Sequence, residues 1–369
     1  MRWITYIDMD AYYVSCEVRD RPDLQEVPVI VGRHPETRSS RGVVLSASYS
    51  ARARGVRSAL PVVLAAERCP EAVWIAPDFG KYERIAGEIR VHLARWADHV
   101  VPLSIDEAAL AVDLPGPAEV AAWCTDVQAS VREELRLPCS VGASPFASVA
   151  KIACDAAKPG GLKVVPAEET ESFLRPLPVR AIPGIGPKSA ERLEAIGVRT
   201  VGELAGADLE RLRRVLGRFG DEVRELARGH PGPGLAELPT EGGPRQRSLD
   251  RTLERDTRDP TELYRLLTSM SAELAGTLGG EGLRYQEVIV RLRWQDFAQT
   301  QRGVKLAAAR EDAASLAAES TRLARELLER EHAGADRAVR RVSLAAGRLV
   351  PRRGRQPPLD LYGSEPASR

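Results

Sequence analysis

The sequence is poor in cysteine and has no long hydrophobic run, and both shortages narrow what the protein can be. Its five cysteines in 369 residues are scattered, odd in number and lack a CxxC pair. This pattern argues against a disulfide framework or a zinc site and favours a reducing compartment. No apolar run approaches the ~18 residues that span a bilayer, and residues 1–4 do not resemble a secretory signal peptide. We therefore predict a cytoplasmic protein without a membrane partner.

The chain also has few lysines and almost no net charge. The formal net charge is +1, and six lysines stand beside forty-seven arginines. Overall charge therefore does not indicate a nucleic-acid-binding protein, and any such binding has to depend on local basic patches. The arginine bias fits a GC-rich genome, and it also fits selection for side chains that bind phosphate with a planar fork. The length allows two to four domains.

Two adjacent carboxylates, Asp106 and Glu107, lie between the apolar runs 100–103 and 108–112. Buried carboxylates are costly unless a partner neutralises them. Because neighbouring side chains of a strand point to opposite faces, both can reach one site only beside a hairpin bend. A divalent metal is the simplest partner, and the acidic segment 7–10 is a candidate second half of the site. The alternative is that Asp8 caps a helix and that Asp106 and Glu107 are solvated turn residues.

The chain divides by pattern into five parts. Residues 1–165 alternate strand and helix signals, and 166–230 form a small helical module. Residues 231–244 are rich in glycine and proline and are predicted to be a linker. Residues 245–350 have the pattern of an α+β unit, and 351–369 that of a disordered tail. The sequence therefore predicts a multidomain α/β and α+β protein.

Individual elements follow from hydrophobic periodicity and end signals. Helices are predicted at 11–19, 47–54, 61–68, 78–97, 118–135, 260–278 and 313–330. Strands are predicted at 3–7, 28–31, 42–45, 139–142, 285–294 and 339–344, and a hairpin at 100–112. Asp10 is predicted to cap the first helix.

Five segments together resemble Y-family DNA polymerases of the polymerase IV (DinB) type, in that family's order and approximate spacing. They are Asp8-Met9-Asp10-Ala11-Tyr12-Tyr13; Ser48-Tyr49-Ser50-Ala51-Arg52 with 55–61; Ser104 to Ala108; Ala150-Lys151-Ile152-Ala153 with 158–162; and Gly184-Ile185-Gly186. The resemblance implies a right-hand polymerase. Its palm would be residues 1–10 and 76–165, its fingers 11–75, its helical thumb 166–230 and its little finger 245–350.

The resemblance also implies a metal site for phosphoryl transfer. Asp8 and Asp106 would bridge two Mg²⁺ ions, Glu107 would hold the primer-side ion, and the Met9 carbonyl would be a backbone ligand. Oxygen ligands suit Mg²⁺ and also Mn²⁺. In this interpretation Asp8, Asp106 and Glu107 are the catalytic residues.

The resemblance implies a set of nucleotide contacts as well. Tyr13 would be the steric gate that excludes ribonucleotides, with Tyr12 beside it; a core tyrosine is the alternative for Tyr13. The triphosphate ligands would be Tyr49, Arg52 and Lys158, with Ser46 as an added hydroxyl donor. For Arg52 the alternative is a solvated helix face.

The expected DNA contacts lie further along the chain. Gly184, Gly186 and Lys188 read as a helix-hairpin-helix whose amides bind a DNA phosphate, although Gly-x-Gly also marks plain connectors. Arginines of the little finger are expected to follow the duplex backbone, unless they lie on a merely solvated strand face. They are Arg291, Arg293 and Arg341.

The tail resembles a peptide that binds a sliding clamp, although it is also compatible with a tail of no function. The residues that carry this resemblance are Gln356, Leu359, Leu361 and Tyr362. Such a peptide would order on binding and lose chain entropy.

The predicted function is a template-directed, low-fidelity DNA polymerase in translesion synthesis. It would act as a monomer on primer-template DNA and deoxynucleoside triphosphates, without proofreading. Leu45 departs from the family, whose members have smaller residues over the nascent base pair, so lesion tolerance is expected to be narrower. A catalytically silent, clamp-bound scaffold is the alternative, and the three intact carboxylates argue against it.

Overall fold

The computed structural model describes residues 1–36, 41–238, 245–332 and 337–352. In the part of the chain so described, no helix has both the length and the apolar character needed to cross a bilayer. All five cysteines lie in these ranges, and each is buried and unpaired.

The chain separates into two compact units, residues 1–241 and 242–369. The strands of the first unit are β1 (Arg2–Met9), β2 (Val29–Val31), β3 (Ser46–Ala47), β4 (Val73–Ile75), β5 (His99–Pro102), β6 (Glu107–Asp113), β7 (Cys139–Ser144) and β8 (Leu162–Val164). Its first six α-helices are α1 (Tyr12–Asp20), α2 (Tyr49–Ala53), α3 (Val62–Arg68), α4 (Phe79–Leu93), α5 (Pro117–Ser130) and α6 (Ala147–Ala157). A π-helical turn, Val131–Leu135, continues α5.

A five-stranded sheet in the order β5-β6-β1-β7-β8 forms the centre of this unit. β1 pairs antiparallel with β6 and with β7. Trp3, Ile7 and Met9 of β1 pack into the large core that also contains side chains of α4 and α5. Ile4 and Tyr6 face the opposite side, against α6. Because both faces of the sheet are covered, β1 is buried at every position after Arg2 rather than at alternate ones.

A smaller sheet, β3-β2-β4, lies beside helices α2 and α3. The predicted strand at 42–45 is displaced: Val43 makes only an isolated bridge with Pro61, and the strand begins at Ser46. This shift brings Ser46 into a buried strand and leaves Leu45 just before it.

The remainder of the first unit is helical. Its helices are α7 (Thr170–Leu174), α8 (Pro187–Glu194), α9 (Val201–Gly206), α10 (Leu209–Leu216), α11 (Phe219–Ala227) and α12 (Pro233–Ala236). They enclose a separate apolar core. The last helix, α12, is a short helix inside the segment predicted as a linker, and its Pro233 provides the fixed φ suited to a first turn.

The second unit is an α+β layer. Its strands are β9 (Gln246–Thr257), β10 (Leu283–Trp294), β11 (Gln299–Arg310), β12 (Val339–Gly347) and β13 (Val350–Pro351), and its helices are α13 (Pro260–Gly280) and α14 (Ala313–His332). The sheet order is β11-β10-β12-β9. On β10, Val288, Val290, Leu292 and Trp294 are fully buried against the helices, as the alternation predicts.

Candidate active site

The carboxylate pair occupies the bend between β5 and β6. Glu107 is the first residue of β6, and Asp106 lies in the preceding bend, where the Met9 N–H donates to its carbonyl at 2.9 Å. Asp8 near the end of β1 is the direct ladder partner of Glu107. Paired residues of an antiparallel ladder point to the same face. The bend therefore brings the acidic segment of β1 and the two adjacent carboxylates into one neighbourhood, as the sequence predicts.

Two lysines from the region of α6 lie against these carboxylates. Lys158 Nζ is 2.6 Å from Asp8 Oδ2. Lys151 Nζ is 2.6 Å from Glu107 Oε1 and 3.6 Å from Asp8 Oδ2. Asp155 lies 3.3 Å from both ammonium groups. Sequence reasoning missed Lys151, although a lysine inside one of the recognised segments of an arginine-rich chain was a usable signal.

Burial and these contacts oppose each other in setting the protonation of the site. Burial raises the pKa of Asp8 even though Lys158 donates a hydrogen bond to it. Burial likewise raises the pKa of Glu107 against the effect of Lys151. For both lysines burial lowers the pKa, but the facing carboxylates outweigh it and the pKa is raised. Each carboxylate is therefore a buried acid that depends on a cation beside it.

Within the described ranges, no group of three His, Cys, Asp or Glu side chains is close enough to hold a metal ion. Asp8 and Glu107 are paired with ammonium groups instead, and Asp106 accepts a hydrogen bond from the Ser104 hydroxyl. The buried Oε1 of Glu107 has no well-aligned hydrogen-bond donor, although the Lys151 ammonium is in ionic contact with it.

A cavity of about 160 Å³ opens beside the carboxylates. The predicted metal and nucleotide residues that line it are Asp8, Met9, Tyr12, Tyr13, Ser46, Tyr49, Arg52, Asp106 and Lys158. Glu107 is the one member of the predicted metal and nucleotide sets that does not line it. Leu45 and Ser58 are also in its wall, and sequence reasoning had given Ser58 no role.

The two tyrosines of α1 differ in their surroundings. Tyr12 is almost completely buried, and its hydroxyl donates to the Tyr82 carbonyl at 2.6 Å. Tyr13 is half-buried, and its ring centroid lies 4.9 Å from that of Tyr82. Burial raises the pKa of the Tyr13 hydroxyl, which therefore stays neutral. Tyr13 thus presents a fixed aromatic ring at the cavity, whereas Tyr12 is mainly a core residue.

Tyr49 and Arg52 act as a unit at the start of α2. The Arg52 guanidinium lies 4.8 Å from the centroid of the Tyr49 ring, an arrangement typical of a cation–π contact. Arg52 Nε donates to the Ala47 carbonyl at 2.9 Å. The Tyr49 hydroxyl donates to Asp10 Oδ1 at 3.1 Å, and burial together with this carboxylate raises the pKa of Tyr49 to about 12.

The prediction that Asp10 caps the first helix is wrong. Ala11 is the N-cap residue of α1, with φ 46°, and no side chain caps the helix. The Asp10 carboxylate instead accepts hydrogen bonds from the Ser140 hydroxyl, the Gly160 N–H and the Tyr49 hydroxyl. These donors are distant in sequence, so local signals at residues 7–13 could not reveal them.

The glycine-rich hairpin of the helical region precedes α8. Gly184 has φ +94°, and a Cβ there would lie 2.9 Å from the Phe219 ring, so a side chain is excluded on two grounds. Gly186 is the N-cap of α8, and both it and Lys188 are exposed. The hairpin therefore presents backbone N–H groups and one ammonium group to solvent.

The three arginines of the second unit that were predicted to contact DNA are all partly buried. Arg291 donates to the Gln301 side chain at 3.1 Å, and Arg341 forms an ion pair with Asp250 at 2.8 Å. The Arg293 guanidinium lies 5.2 Å from the Phe297 ring centroid. The predicted clamp peptide with Gln356, Leu359, Leu361 and Tyr362 lies outside the described residues.

Comparison with known proteins agrees with this fold. The family model "impB/mucB/samB family" matches residues 7–155, its C-terminal domain matches 244–359, and the "IMS family HHH motif" matches 167–198. The DNA polymerase IV of Halorhodospira halophila is 36% identical over 372 residues, which cover 99% of each chain. The DNA polymerase IV of Methanoculleus marisnigri is 40% identical over 297 residues, covering 80% of this chain and 82% of that one.

Solved structures show the same fold. A Y-family DNA polymerase chimera, Dbh-Dpo4(243-245)-Dbh, matches with a TM-score of 0.85 and 24% identity, over 95% of this chain and 99% of that one. DinB from Sulfolobus solfataricus matches with a TM-score of 0.62 at the same identity and coverage. The fold is thus that of a Y-family DNA polymerase. The chain belongs to the impB/mucB/samB family, the Y-family polymerases of the polymerase IV type.

Proposed function

We propose that the protein is a template-directed DNA polymerase that adds deoxynucleotides to a primer 3′ end in translesion synthesis, with low fidelity and without proofreading. Its family membership supports the activity. The observation that carries the site is the cavity lined by Asp8, Asp106, Tyr13, Arg52 and Lys158. Carboxylates that could bind a metal, cationic side chains that could bind phosphate and an aromatic ring that could contact the sugar therefore line one cavity.

Family membership implies dependence on a divalent metal ion, and the donor set fits Mg²⁺. Asp8, Asp106, Glu107 and the Met9 carbonyl supply only oxygen atoms, the ligands that Mg²⁺ and Mn²⁺ prefer. Burial raises the pKa of both Asp8 and Glu107, so a cation beside them would stabilise their charged forms. Two bound ions would lower the pKa of the primer hydroxyl and stabilise charge on the triphosphate.

Individual residues of this chain would then have distinct roles in the reaction. Asp8, Asp106 and Glu107 would hold the divalent ions. Lys158 would offer its ammonium group and Arg52 its planar fork to the phosphate oxygens. Ser46, Tyr12 and Tyr49 complete the nucleotide contacts. The Tyr13 ring would collide with a 2′-hydroxyl and so select deoxynucleotides.

The other parts of the chain would hold the DNA. We assign palm, fingers, thumb and little finger to the ranges predicted from the sequence. The hairpin residues Gly184, Gly186 and Lys188 would bind a backbone phosphate of primer-template DNA without reading sequence. The arginines of the second unit, Arg291, Arg293 and Arg341, would follow the duplex.

We further propose that the tail binds a sliding clamp, that the protein acts as a monomer, and that it works in the cytoplasm. The five unpaired cysteines are compatible with a reducing compartment. No observation favours the alternative of a silent scaffold, because a scaffold has no need of Asp8 and Glu107 paired across one ladder.

The decisive experiment is primer extension with Mg²⁺ and four deoxynucleotides, comparing wild type with Asp106→Ala. Extension by wild type alone, with both proteins folded and binding DNA, supports the polymerase and its metal site. Extension by both proteins would refute the role of Asp106. Extension by neither, with DNA and clamp binding retained, would favour the scaffold.

A further inference from the structure

The Glu17 carboxylate of α1 is bound to Tyr82 of α4, whose ring lies against that of Tyr13. Glu17 is 8% exposed. The Tyr82 hydroxyl donates to Glu17 Oε1 at 2.7 Å, and the Lys81 ammonium lies 2.9 Å from Oε2. Burying a carboxylate is costly unless such donors replace the water that it loses. The function proposed above gives Glu17 no part, and it is not among the described residues that line the cavity.

We propose that Glu17 is a positioning residue that fixes the Tyr13 ring through Tyr82 and so sharpens the selection of deoxynucleotides. The proposal rests on the assignment of Tyr13 as the gate against ribonucleotides. Glu17 itself touches neither the nucleotide nor the reacting atoms in this scheme. Its effect is therefore expected on sugar discrimination rather than on phosphoryl transfer.

Tyr82 is held at its backbone and at the tip of its ring. It is fully buried, its carbonyl accepts the Tyr12 hydroxyl at 2.6 Å, and its own hydroxyl donates to Glu17. Burial, and then this hydrogen bond, raise the pKa of the Tyr82 hydroxyl, so it keeps its proton and remains the donor. The two anchors lie at opposite ends of the residue and together restrict the position of its ring.

The Tyr82 ring is in turn the support of the Tyr13 ring. Their centroids are 4.9 Å apart and their planes are inclined by 67°, an edge-to-face arrangement. Tyr13 is half-buried and lines the cavity. Because an edge-to-face contact depends on the orientation of both rings, a displacement of Tyr82 would be passed on to the ring in the cavity wall.

Lys81 holds the other side of the carboxylate. Its ammonium group bridges Glu17 Oε2 and Asp20 Oδ2, at 2.9 and 2.7 Å. Lys81 and Tyr82 are consecutive residues of α4, whereas Glu17 and Asp20 lie about one turn apart on α1. Glu17 is therefore held through both oxygens, and it provides a fixed acceptor for the Tyr82 hydroxyl.

The test compares kcat/KM for matched ribo- and deoxynucleotides in wild type, Glu17→Ala, Tyr82→Phe, their double variant and Tyr13→Ala. Tm and DNA affinity are measured for each protein. Tyr82→Phe keeps the ring and removes only its hydroxyl. Tyr82→Phe and Glu17→Ala should each lower discrimination against ribonucleotides about tenfold, less than Tyr13→Ala, because the gate ring remains but is less precisely placed. DNA affinity should stay within about twofold, and kcat/KM for deoxynucleotides should change less than the discrimination does.

Coupling between the two variants tests whether Glu17 acts through the Tyr82 hydroxyl. If it does, the double variant should discriminate about as well as Glu17→Ala alone. Losses that multiply, or unchanged discrimination in Tyr82→Phe, would overturn the proposal. Should Glu17→Ala fail to fold, Tyr82→Phe decides: lowered discrimination supports the proposal, and unchanged discrimination overturns it.

Glu88→Gln is the matched control for a general loosening of the helix pair. Arg19 of α1 and Glu88 of α4 form an ion pair at 2.7 Å, so this variant weakens contact between the same two helices and leaves Glu17 and Tyr82 in place. It should leave sugar discrimination unchanged even if Tm falls. A loss as large as that in Glu17→Ala would show that helix docking sets the ring, and would overturn the proposal.

The same measurements separate this proposal from the function on which it rests. Absent extension by wild type would refute the polymerase and this proposal with it. Unchanged discrimination in Tyr13→Ala would refute the gate. Normal discrimination in Glu17→Ala and Tyr82→Phe, beside its loss in Tyr13→Ala, would refute positioning alone.

Discussion

Asp8 and Glu107 are direct partners across the antiparallel ladder of β1 and β6. Ile4 and Tyr6 share the face of β1 on which Asp8 lies, and that face packs on α6. Lys151 of α6 is consequently within 4 Å of both carboxylates. One covered sheet face thus carries an apolar core along most of its length and a charged cluster at its end.

Removing a carboxylate of this cluster should remove catalysis while leaving the fold intact. Asp106 is in a bend, where its side chain lines the cavity rather than the apolar core. Asp106→Ala should therefore lower the incorporation rate by at least about a thousandfold, equivalent to ~4 kcal/mol of transition-state stabilisation. Chelation of metal from the wild type should have the same effect, and added Mg²⁺ or Mn²⁺ should reverse it. Near-wild-type incorporation by the purified variant would contradict the assignment.

Shortening Tyr13 should open the sugar side of the cavity. The ring is held by Tyr82 at a centroid distance of 4.9 Å and cannot swing freely. Tyr13→Ala should therefore raise ribonucleotide incorporation by orders of magnitude relative to deoxynucleotide incorporation. The measurement is kcat/KM for matched ribo- and deoxynucleotides, with Tyr13→Phe as the control that keeps the ring. Equal discrimination by wild type and Tyr13→Ala would show that the residue is only a core tyrosine.

Arg52 and Arg54 provide a matched pair two residues apart. Both are exposed, but Arg52 lines the cavity, whereas Arg54 forms an ion pair with Glu71. Arg52→Ala should weaken nucleotide binding about 10- to 100-fold, the range for hydrogen bonds to charged groups. Arg54→Ala should have no comparable effect, since exposed ion pairs contribute little. Equal nucleotide Kd values in the two variants would count against the phosphate role.

Leu45 should set how much space the nascent base pair has. It is half-buried in the cavity wall, so truncation enlarges the cavity at a modest cost in stability. Leu45→Ala should increase insertion opposite a bulky template lesion relative to an undamaged base. Leu64→Ala, at an exposed leucine of α3, is the control. An unchanged lesion spectrum would show that Leu45 does not limit lesion tolerance.

His92 should make stability depend on pH. It is buried, Arg95 Nη2 lies 2.6 Å from its Nδ1, and Ser130 Oγ lies 2.9 Å from its Nε2. Burial, then the Arg95 charge, lowers its pKa, while Glu134 opposes them. The unfolded chain therefore binds more protons at acid pH, and stability should fall as pH drops below about 6.5, the ordinary histidine value.

Denaturation of wild type and His92→Gln across pH 5–8 measures this effect. The variant should lose the part of the pH dependence that His92 contributes, whereas His99→Gln, at an exposed histidine of β5, should retain it. Parallel pH profiles for wild type and His92→Gln would show that the histidine does not titrate with folding.

The β10 strand shows what can be predicted from the sequence alone. Its alternation of apolar and arginine side chains is local and has a period of two, so both the strand and its buried face were predictable. The outer strands β9 and β11 were missed, because they are half-exposed edges of the sheet and each has only two large apolar residues. Their strand form depends on pairing with β12 and β10, which sequence periodicity does not record.

The candidate site likewise has one part that the sequence predicts and another that depends on the tertiary structure. The sequence by itself determined the carboxylate hairpin, because apolar runs around two charges demand both a bend and a cation. Only the tertiary structure decided the role of Asp10, whose partners Ser140 and Gly160 are 130 and 150 residues away in the chain. A helix cap is a local hydrogen bond, whereas the partners of a buried carboxylate are chosen by whichever donors the packed sheet and turns bring within 3 Å.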